Sequence, residues 1–301
     1  MEKLILNKLP VPTFGWLNVN AAERDADKFG ELVTPEITEL AGTSETPARA
    51  EVTGGGAKFL LRGKENSRST AVVYVSGSEG KNVETEVKAE AGASVRLVQV
   101  YENAGAAIGA VNAEVGENAE FELVQLYLGG DDIVSGIDVE LVGRGSRFAA
   151  DIGYLLGGSD RLDINLVARH AGKKSQSEIA VKGVLSGSAE KTFRGTIDFL
   201  NGSSGAKGAE NEEVLLMDES VRNKTVPLIL CAEEDVEGSH GASIGRLDEE
   251  HIFYMQSRGI PEEEIYKLMA RSRIEQIVAK LGDEQTVSRV RTALPGGVSD
   301  E

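Results

Sequence analysis

The stretch Leu97-Val98-Gln99-Val100-Tyr101 returns, with one aliphatic exchange, as Leu123-Val124-Gln125-Leu126-Tyr127. The two copies lie 26 residues apart, and glycines punctuate the intervals at Gly92, Gly116, Gly145 and Gly172. On either side the chain continues as short β-rich runs at Ala71–Val75, Ile137–Val142, Leu162–Ala168, Ser177–Leu185 and Thr192–Leu200, bounded by Gly, Ser, Asn or Asp. No helical pattern separates them. A period of this length, with two or three strands per repeat, implies a right-handed parallel β-helix whose coils bury their faces only against their neighbours. A left-handed hexapeptide helix needs a stricter rhythm. A β-sandwich shares the strand spacing, and the echo favours the solenoid.

Outward from this core, assigned to residues 69–235, the pattern changes at both ends. Residues 1–68 begin with Pro10, Pro12, Phe14, Trp16 and Leu17. That segment is too proline-rich for a helix interior and reads as a cap over the core. Loop signals follow at Thr43, Ser44, Thr46 and Pro47 and at the Gly54-Gly55-Gly56 turn.

Residues 236–301 turn helical. Asp248 is placed to cap a helix that Gly259 ends, and Pro261 opens a second, followed by three glutamates. In that second helix Ile265, Leu268, Met269, Ile274, Ile277, Val278 and Leu281 keep a 3/4 spacing up to Gly282. Because the solenoid reads as self-sufficient, this apolar stripe is expected to face a partner. Residues 283–294 suggest a third helix, and Val298–Glu301 a frayed end.

Composition narrows the function. In 301 residues, 49 Asp and Glu outweigh 32 Lys and Arg, for a net charge of −17. Long-range attraction to nucleic acid or an anionic membrane is therefore disfavoured. No run approaches the roughly 18 apolar residues of a membrane helix, and the first residues lack a secretory pattern. The lone Cys231 precludes an intramolecular disulfide and points to a reducing, cytoplasmic setting.

Few groups carry chemistry. There is no phosphate-binding loop, and Gly202-Ser-Ser-Gly-Ala-Lys-Gly208 lacks the ending and the helix such a loop needs. One cysteine with His170, His240 and His251 cannot complete an iron–sulfur ligand set. Cys231, after Val226-Pro-Leu-Ile-Leu230, reads as an inert buried thiol; His170, beside Lys173 and Lys174, as a surface residue; His251 as a structural or partner-facing residue in a first helical turn. Glu233, Glu234 and Asp235 read as a solvated acidic edge. His240 stands apart, alone of its type in a loop flanked by Gly238, Gly241 and Gly245.

Gly238-Ser-His-Gly-Ala-Ser-Ile-Gly245 and Leu247-Asp-Glu-Glu-His-Ile-Phe-Tyr-Met-Gln-Ser-Arg-Gly-Ile260 resemble the C-terminal signature of the SufB/SufD family, on its SufD side. Lys191–Phe199, Gly205–Asn211 and Leu215-Leu216 resemble its last core repeats, and Leu9–Asn20 its entry segment. The resemblance implies a β-helix scaffold for SUF iron–sulfur cluster assembly, without enzymatic activity of its own. It implies pairing with a SufB-type subunit or a second copy, a SufC-type ABC ATPase docked on the helical region through Ile265, Leu268 and Met269, and sulfur arriving indirectly from a cysteine desulfurase. It places His240 at the subunit interface, as a ligand for iron or a transient cluster. The chain departs from the pattern at Gly238, where cysteine is common, and offers no acceptor thiol near Ala209–Glu213. A solenoid lyase or hydrolase acting on carbohydrate is the alternative, though no repeated set of carboxylates and arginines supports it.

Overall fold

A computed structural model describes residues 2–13, 15–30 and 35–294. Phe14 and the expected frayed end at 298–301 lie outside the described residues, as does the side chain of His251. The chain opens with an antiparallel pair, β1 (Lys3–Leu6) and β2 (Ala22–Asp25). The next strands are β3 (Ile37–Leu40), β4 (Ala48–Val52), β5 (Gly55–Gly63), β6 (Arg68–Ser76), β7 (Lys81–Ala89), β8 (Ser94–Glu102), β9 (Ala106–Val115) and β10 (Glu120–Leu128). They continue as β11 (Asp132–Leu141), β12 (Arg147–Leu156), β13 (Arg161–His170), β14 (Gln176–Leu185), β15 (Glu190–Phe199), β16 (Ala206–Leu216), β17 (Arg222–Cys231) and β18 (Val236–Gly245). From β3 onward the odd strands form one eight-stranded parallel sheet and the even strands another, so the chain winds as a parallel β-solenoid of about seven turns. The ladder thus reaches past 69–235 at both ends, taking in β3–β5 and β18. The interval of 26 residues holds for the middle coils and lengthens to 29 and then 32 toward the C-terminal end, where the turns are longer.

The echoed pentapeptides explain the packing. Leu97, Gln99 and Tyr101 point between the sheets and stack in register on Leu123, Gln125 and Tyr127. Gln125 Nε2 donates to Gln99 Oε1 at 2.7 Å, Gln99 Nε2 donates to Thr85 Oγ1 at 3.2 Å, and the two tyrosine rings stack at 4.8 Å. Buried amides are therefore satisfied one coil from the next. The turns stack as well. Asn66, Gly92, Asn118, Gly145, Lys174 and Gly205 all have left-handed backbones, and each N–H donates to a carbonyl of the following coil. Side chain and glycine alternate down this column for a steric reason. A Cβ on Gly145 would stand 2.7 Å from Asn118 Oδ1, so each second coil must lack a side chain there.

The strands are also apolar on the face turned away from this core, because both flanks are covered. Over the even sheet, Val72, Tyr74, Val98, Val100, Val124 and Leu126 meet the C-terminal helices. These are α1 (Glu249–Ser257), α2 (Glu262–Val278) and α3 (Glu284–Ala293), with Asp248 and Asp283 capping the first and third as acceptors for Glu250 N and Thr286 N. The α2 side chains Ala270, Ile274, Ile277 and Val278, followed by Leu281, belong to this cluster. Gly153 leaves room for the approach, since a Cβ there would meet Ile277 at 3.1–3.2 Å. Polar contacts fasten α3: Tyr74 OH donates to Thr286 Oγ1 at 2.9 Å, Arg49 pairs with Asp283 at 2.6 Å, and Arg289 lies 4.0 Å above the Tyr74 ring. Over the odd sheet lies the N-terminal segment, with Ala22 and Phe29 on Val134. It is tied down by Arg24–Asp132 at 2.7 Å, Asn7 Nδ2 to Asp163 Oδ1 at 2.7 Å, and Arg194, which donates to the Val19 carbonyl and pairs with Asp163. The expected cap is thus a flank cover, and its burial falls on Leu9, Val19, Ala22 and Phe29 while Trp16 and Leu17 are exposed.

His170 is buried, contrary to the surface position expected of it. It is the last residue of β13, and its parity with Leu162, Ile164, Leu166 and Ala168 sends the ring inward. Nδ1 lies 2.8 Å from Ser175 Oγ and Nε2 lies 2.9 Å from Ser177 Oγ. Because the Ser175 hydroxyl donates to the Gly172 carbonyl, it accepts from Nδ1–H, and Nε2 accepts from Ser177.

Two outcomes are expected. Deleting residues 247–301 bares the apolar outer face of the even sheet, so the truncated chain should aggregate and bind a hydrophobic dye; a soluble monomer in size-exclusion chromatography would contradict the cover. Burial lowers the His170 pKa to about 4. The unfolded chain, with an ordinary value of about 6.5, therefore takes up the proton first, and stability should fall as pH drops from about 6.5 toward about 4, by on the order of 3 kcal/mol. Urea unfolding of His170→Gln should show a flatter profile across that window.

Candidate functional site

At the C-terminal end the stacking stops. β17 and β18 are the last strands of their sheets, ten residues each, and no further coil covers the side chains they turn inward. Ile229 is 36% exposed and Ile244 43%. His240 lies on β18, in register with Glu210 on β16, so it is a strand residue and not part of a glycine-flanked loop. Glycine dominates the local sequence because neighbours crowd it: a Cβ on Gly238 would stand 3.0 Å from the Phe199 ring, and one on Gly241 3.0 Å from Asn211 Oδ1. Neighbouring parallel strands in register send paired residues to the same side. Since Glu210 is buried between the sheets, the His240 ring also projects inward, exposed only because the solenoid ends there.

One layer in, a charged group sits where apolar residues stand in the earlier coils. Lys191 and Glu212 form a wholly buried ion pair. Glu212 also accepts from Thr225 Oγ1 at 2.6 Å and from Tyr154 OH at 3.2 Å, which completes its hydrogen bonding. Burial draws the Lys191 ammonium below the usual lysine range, and the Glu212 carboxylate opposes this. Glu210 is only 4% exposed, and burial, reinforced by the Glu212 charge, pushes its pKa to about 7. Sequence reasoning passed over Lys191 and Glu210 as site residues. Their parity with Phe193 and Val214 on the same strands was the available signal.

The other candidates differ from what their sequence suggests. Cys231 is exposed, with its thiol 3.0 Å from the Glu233 carbonyl, and is not the buried thiol expected, because it faces the uncovered end of the last coil. Glu233 and Asp235 lie in the turn before β18, where they accept from Gly202 N at 3.0 Å and Ser204 Oγ at 2.7 Å, so they brace stacked turns instead of lining a strand edge. The Gly202–Gly205 stretch is such a turn. On α2, Ile265 is buried and so is not available at a surface, whereas Leu268 and Met269 are exposed. On α1, Phe253 is 72% exposed and Tyr254 57%. Among the described residues no group of three or more His, Cys, Asp and Glu side chains is arranged to hold a metal ion, and no helix is long and apolar enough to cross a membrane.

This architecture defines a parallel β-solenoid with covered flanks and one bare, histidine-bearing end. A family profile described as the SufBD core domain of SUF system FeS cluster assembly matches residues 48–273, and the chain belongs to that family. The iron-sulfur cluster assembly protein SufD of Bacillus subtilis (strain 168) is 36% identical over 112 residues, which is 37% of this chain and 26% of that protein. A SufBD family protein of Mycobacterium leprae, ML0594, is 26% identical over 265 residues, 83% of this chain and 68% of the relative. A second from the same organism, ML0593, is 25% identical over 213 residues, 70% of this chain and 24% of the relative. The aligned stretches thus span about a quarter of B. subtilis SufD and of ML0593.

Replacing Lys191 by methionine leaves the Glu212 carboxylate buried without its cation, and should cost about 3–5 kcal/mol in urea unfolding. The double variant Lys191→Met/Glu212→Leu should recover most of that. A single variant as stable as the parent would mean that the pair is not formed in solution.

Proposed function

We propose that the chain is a non-catalytic scaffold subunit of iron–sulfur cluster assembly, working in the cytoplasm, whose bare solenoid end pairs with a SufB-type subunit or a second copy. The observation that carries this reading is the last coil. Long parallel edge strands with exposed Ile229 and Ile244 are a template for association, and His240 projects from the same end. Iron and the nascent cluster are cargo at this junction. The His240 imidazole ligates iron, and further thiolate ligands come from the partner, since this chain has only Cys231. Sulfur reaches the junction through the partner from a cysteine desulfurase.

The helical flank holds a SufC-type ATPase. The buried stripe of α2 is occupied by the chain's own sheet, which leaves Phe253, Tyr254, Leu268 and Met269 as the apolar groups for docking. Nucleotide hydrolysis belongs to that partner, because the sequence has no phosphate-binding loop. ATPase dimerisation would pull on the helices, which are packed against the sheet that ends in β18, and so open the junction near His240.

Co-expression with both partners tests the assignment. Phe253→Asp with Met269→Asp should release the ATPase and keep the paired subunit, while Ile229→Asp should do the reverse. His240→Ala should retain both and lower cluster yield several-fold. Retention of the ATPase by the helix variant would remove the docking assignment, and loss of pairing in His240→Ala would make the histidine an interface residue. Cleavage of polygalacturonate-like sugars by the purified chain would replace the scaffold reading with an enzyme.

A further inference from the structure

The reading of His240 as an iron ligand leaves its neighbour in the interior, Glu210, without a role. Glu210 stands directly behind His240 in the same inward column, one strand spacing or about 4.8 Å deeper. Its carboxylate reaches across the interior to Gly195 on β15, where any side chain would collide with it. Around it, Lys191 is engaged by Glu212, and Tyr154 and Thr225 also donate to Glu212. Glu210 itself makes no hydrogen bond or ion pair among the described residues, although it is 96% buried by its 4% exposure.

A carboxylate largely withdrawn from water and without a protein partner is disfavoured relative to a neutral side chain of the same shape, and the Glu210 oxygens keep only residual solvent contact. The other buried charges of the solenoid avoid this cost. Lys81 donates to three backbone carbonyls at 2.5–2.7 Å, and Asp163 binds both Arg194 and Asn7. A carboxylate without a protein partner beside a candidate ligand, at the C-terminal end of the core where stacking stops, is placed for a ligand that arrives from outside. Gly195 is part of the arrangement, because it supplies the space the carboxylate occupies.

We propose that Glu210 is the second iron ligand contributed by this chain, so that iron entering at the bare end is held between the His240 imidazole on the last coil and the Glu210 carboxylate one coil in. An imidazole and a carboxylate together suit ferrous iron, and the remaining positions would be filled from the paired subunit. The inference rests on the reading of His240 given above, and it goes further in making the site extend into the solenoid interior.

Anaerobic titration of Fe(II) into the paired complex, followed by calorimetry, separates the two claims. Glu210→Gln, which keeps the shape and removes the charge, should weaken iron binding tenfold or more, as His240→Ala does, with pairing and ATPase retention unchanged. Its thermal midpoint should equal or exceed that of the parent, because an unpartnered charge has been removed. If His240→Ala weakens binding and Glu210→Gln does not, the inference fails while the reading of His240 stands. If neither changes binding, both fail. A midpoint several degrees lower in Glu210→Gln, with unchanged iron affinity, would make the carboxylate a structural group and overturn the proposal. Gly195→Ala supplies a second test: by displacing the carboxylate it should weaken iron binding even with Glu210 and His240 intact, and parental affinity in a folded variant would contradict the geometry.

Discussion

The in-register stacking of one coil on the next is the constraint from which the rest of this molecule follows. Parallel strands about 4.8 Å apart bring each inward residue against its counterpart one coil away, so similar side chains must be compatible with themselves. Gln99 with Gln125, Tyr101 with Tyr127, and Phe121 with Phe148, whose rings stack at 5.5 Å, meet that requirement inside the core. Lys58 with Glu84, Arg96 with Glu122 and Lys182 with Glu213 meet it on the outer faces by alternating charge. In the turn column the requirement is steric, and the alternation of Asn66, Gly92, Asn118 and Gly145 is its solution.

A two-sheet solenoid has two outer faces, and here each needs a cover. The strands β6, β8 and β10 are apolar on both sides, which only burial on both sides can support. The C-terminal helices and the N-terminal segment supply it from opposite ends of the chain. Each brings cations to sheet carboxylates: Arg289 to Glu51 and Glu102, and Arg24 to Asp132. In a chain of net charge −17 this pairing offsets repulsion where the covers sit. The helices are therefore structural on one side and free to contact a partner on the other, which divides α2 between Ile274 and Ile277 inside and Leu268 and Met269 outside.

The groups proposed to act collect where stacking is interrupted. At the last coil the inward column has no next layer, so Ile229, Ile244 and His240 are presented instead of buried. The charges beneath them, Lys191, Glu210 and Glu212, replace apolar residues that earlier coils carry in the same columns, such as Ile179 behind Glu210 and Val181 behind Glu212. The core changes character within two layers of its bare end.

Much of this was legible in the residues. The echoed pentapeptides revealed the strands, the parallel stacking and the near-constant interval, because side chains that stack on their own kind leave a periodic trace. The helix cap at Asp248, the third helix and the membership of the SufBD family were legible for similar reasons of local pattern. Burial was not. His170 beside two lysines and Cys231 after an aliphatic run were misjudged, because exposure at a strand position depends on its parity and on whether another coil lies beyond it, and His240 among glycines was exposed as expected but on a strand instead of a loop. The apolar stripe of α2 could equally have met a partner, and only the tertiary structure decided that it meets Val98, Val124 and Leu126. Local sequence determines which residues repeat and which segments turn or coil. What each repeat packs against, and where the packing ends, is a non-local property of contacts between residues separated by whole coils.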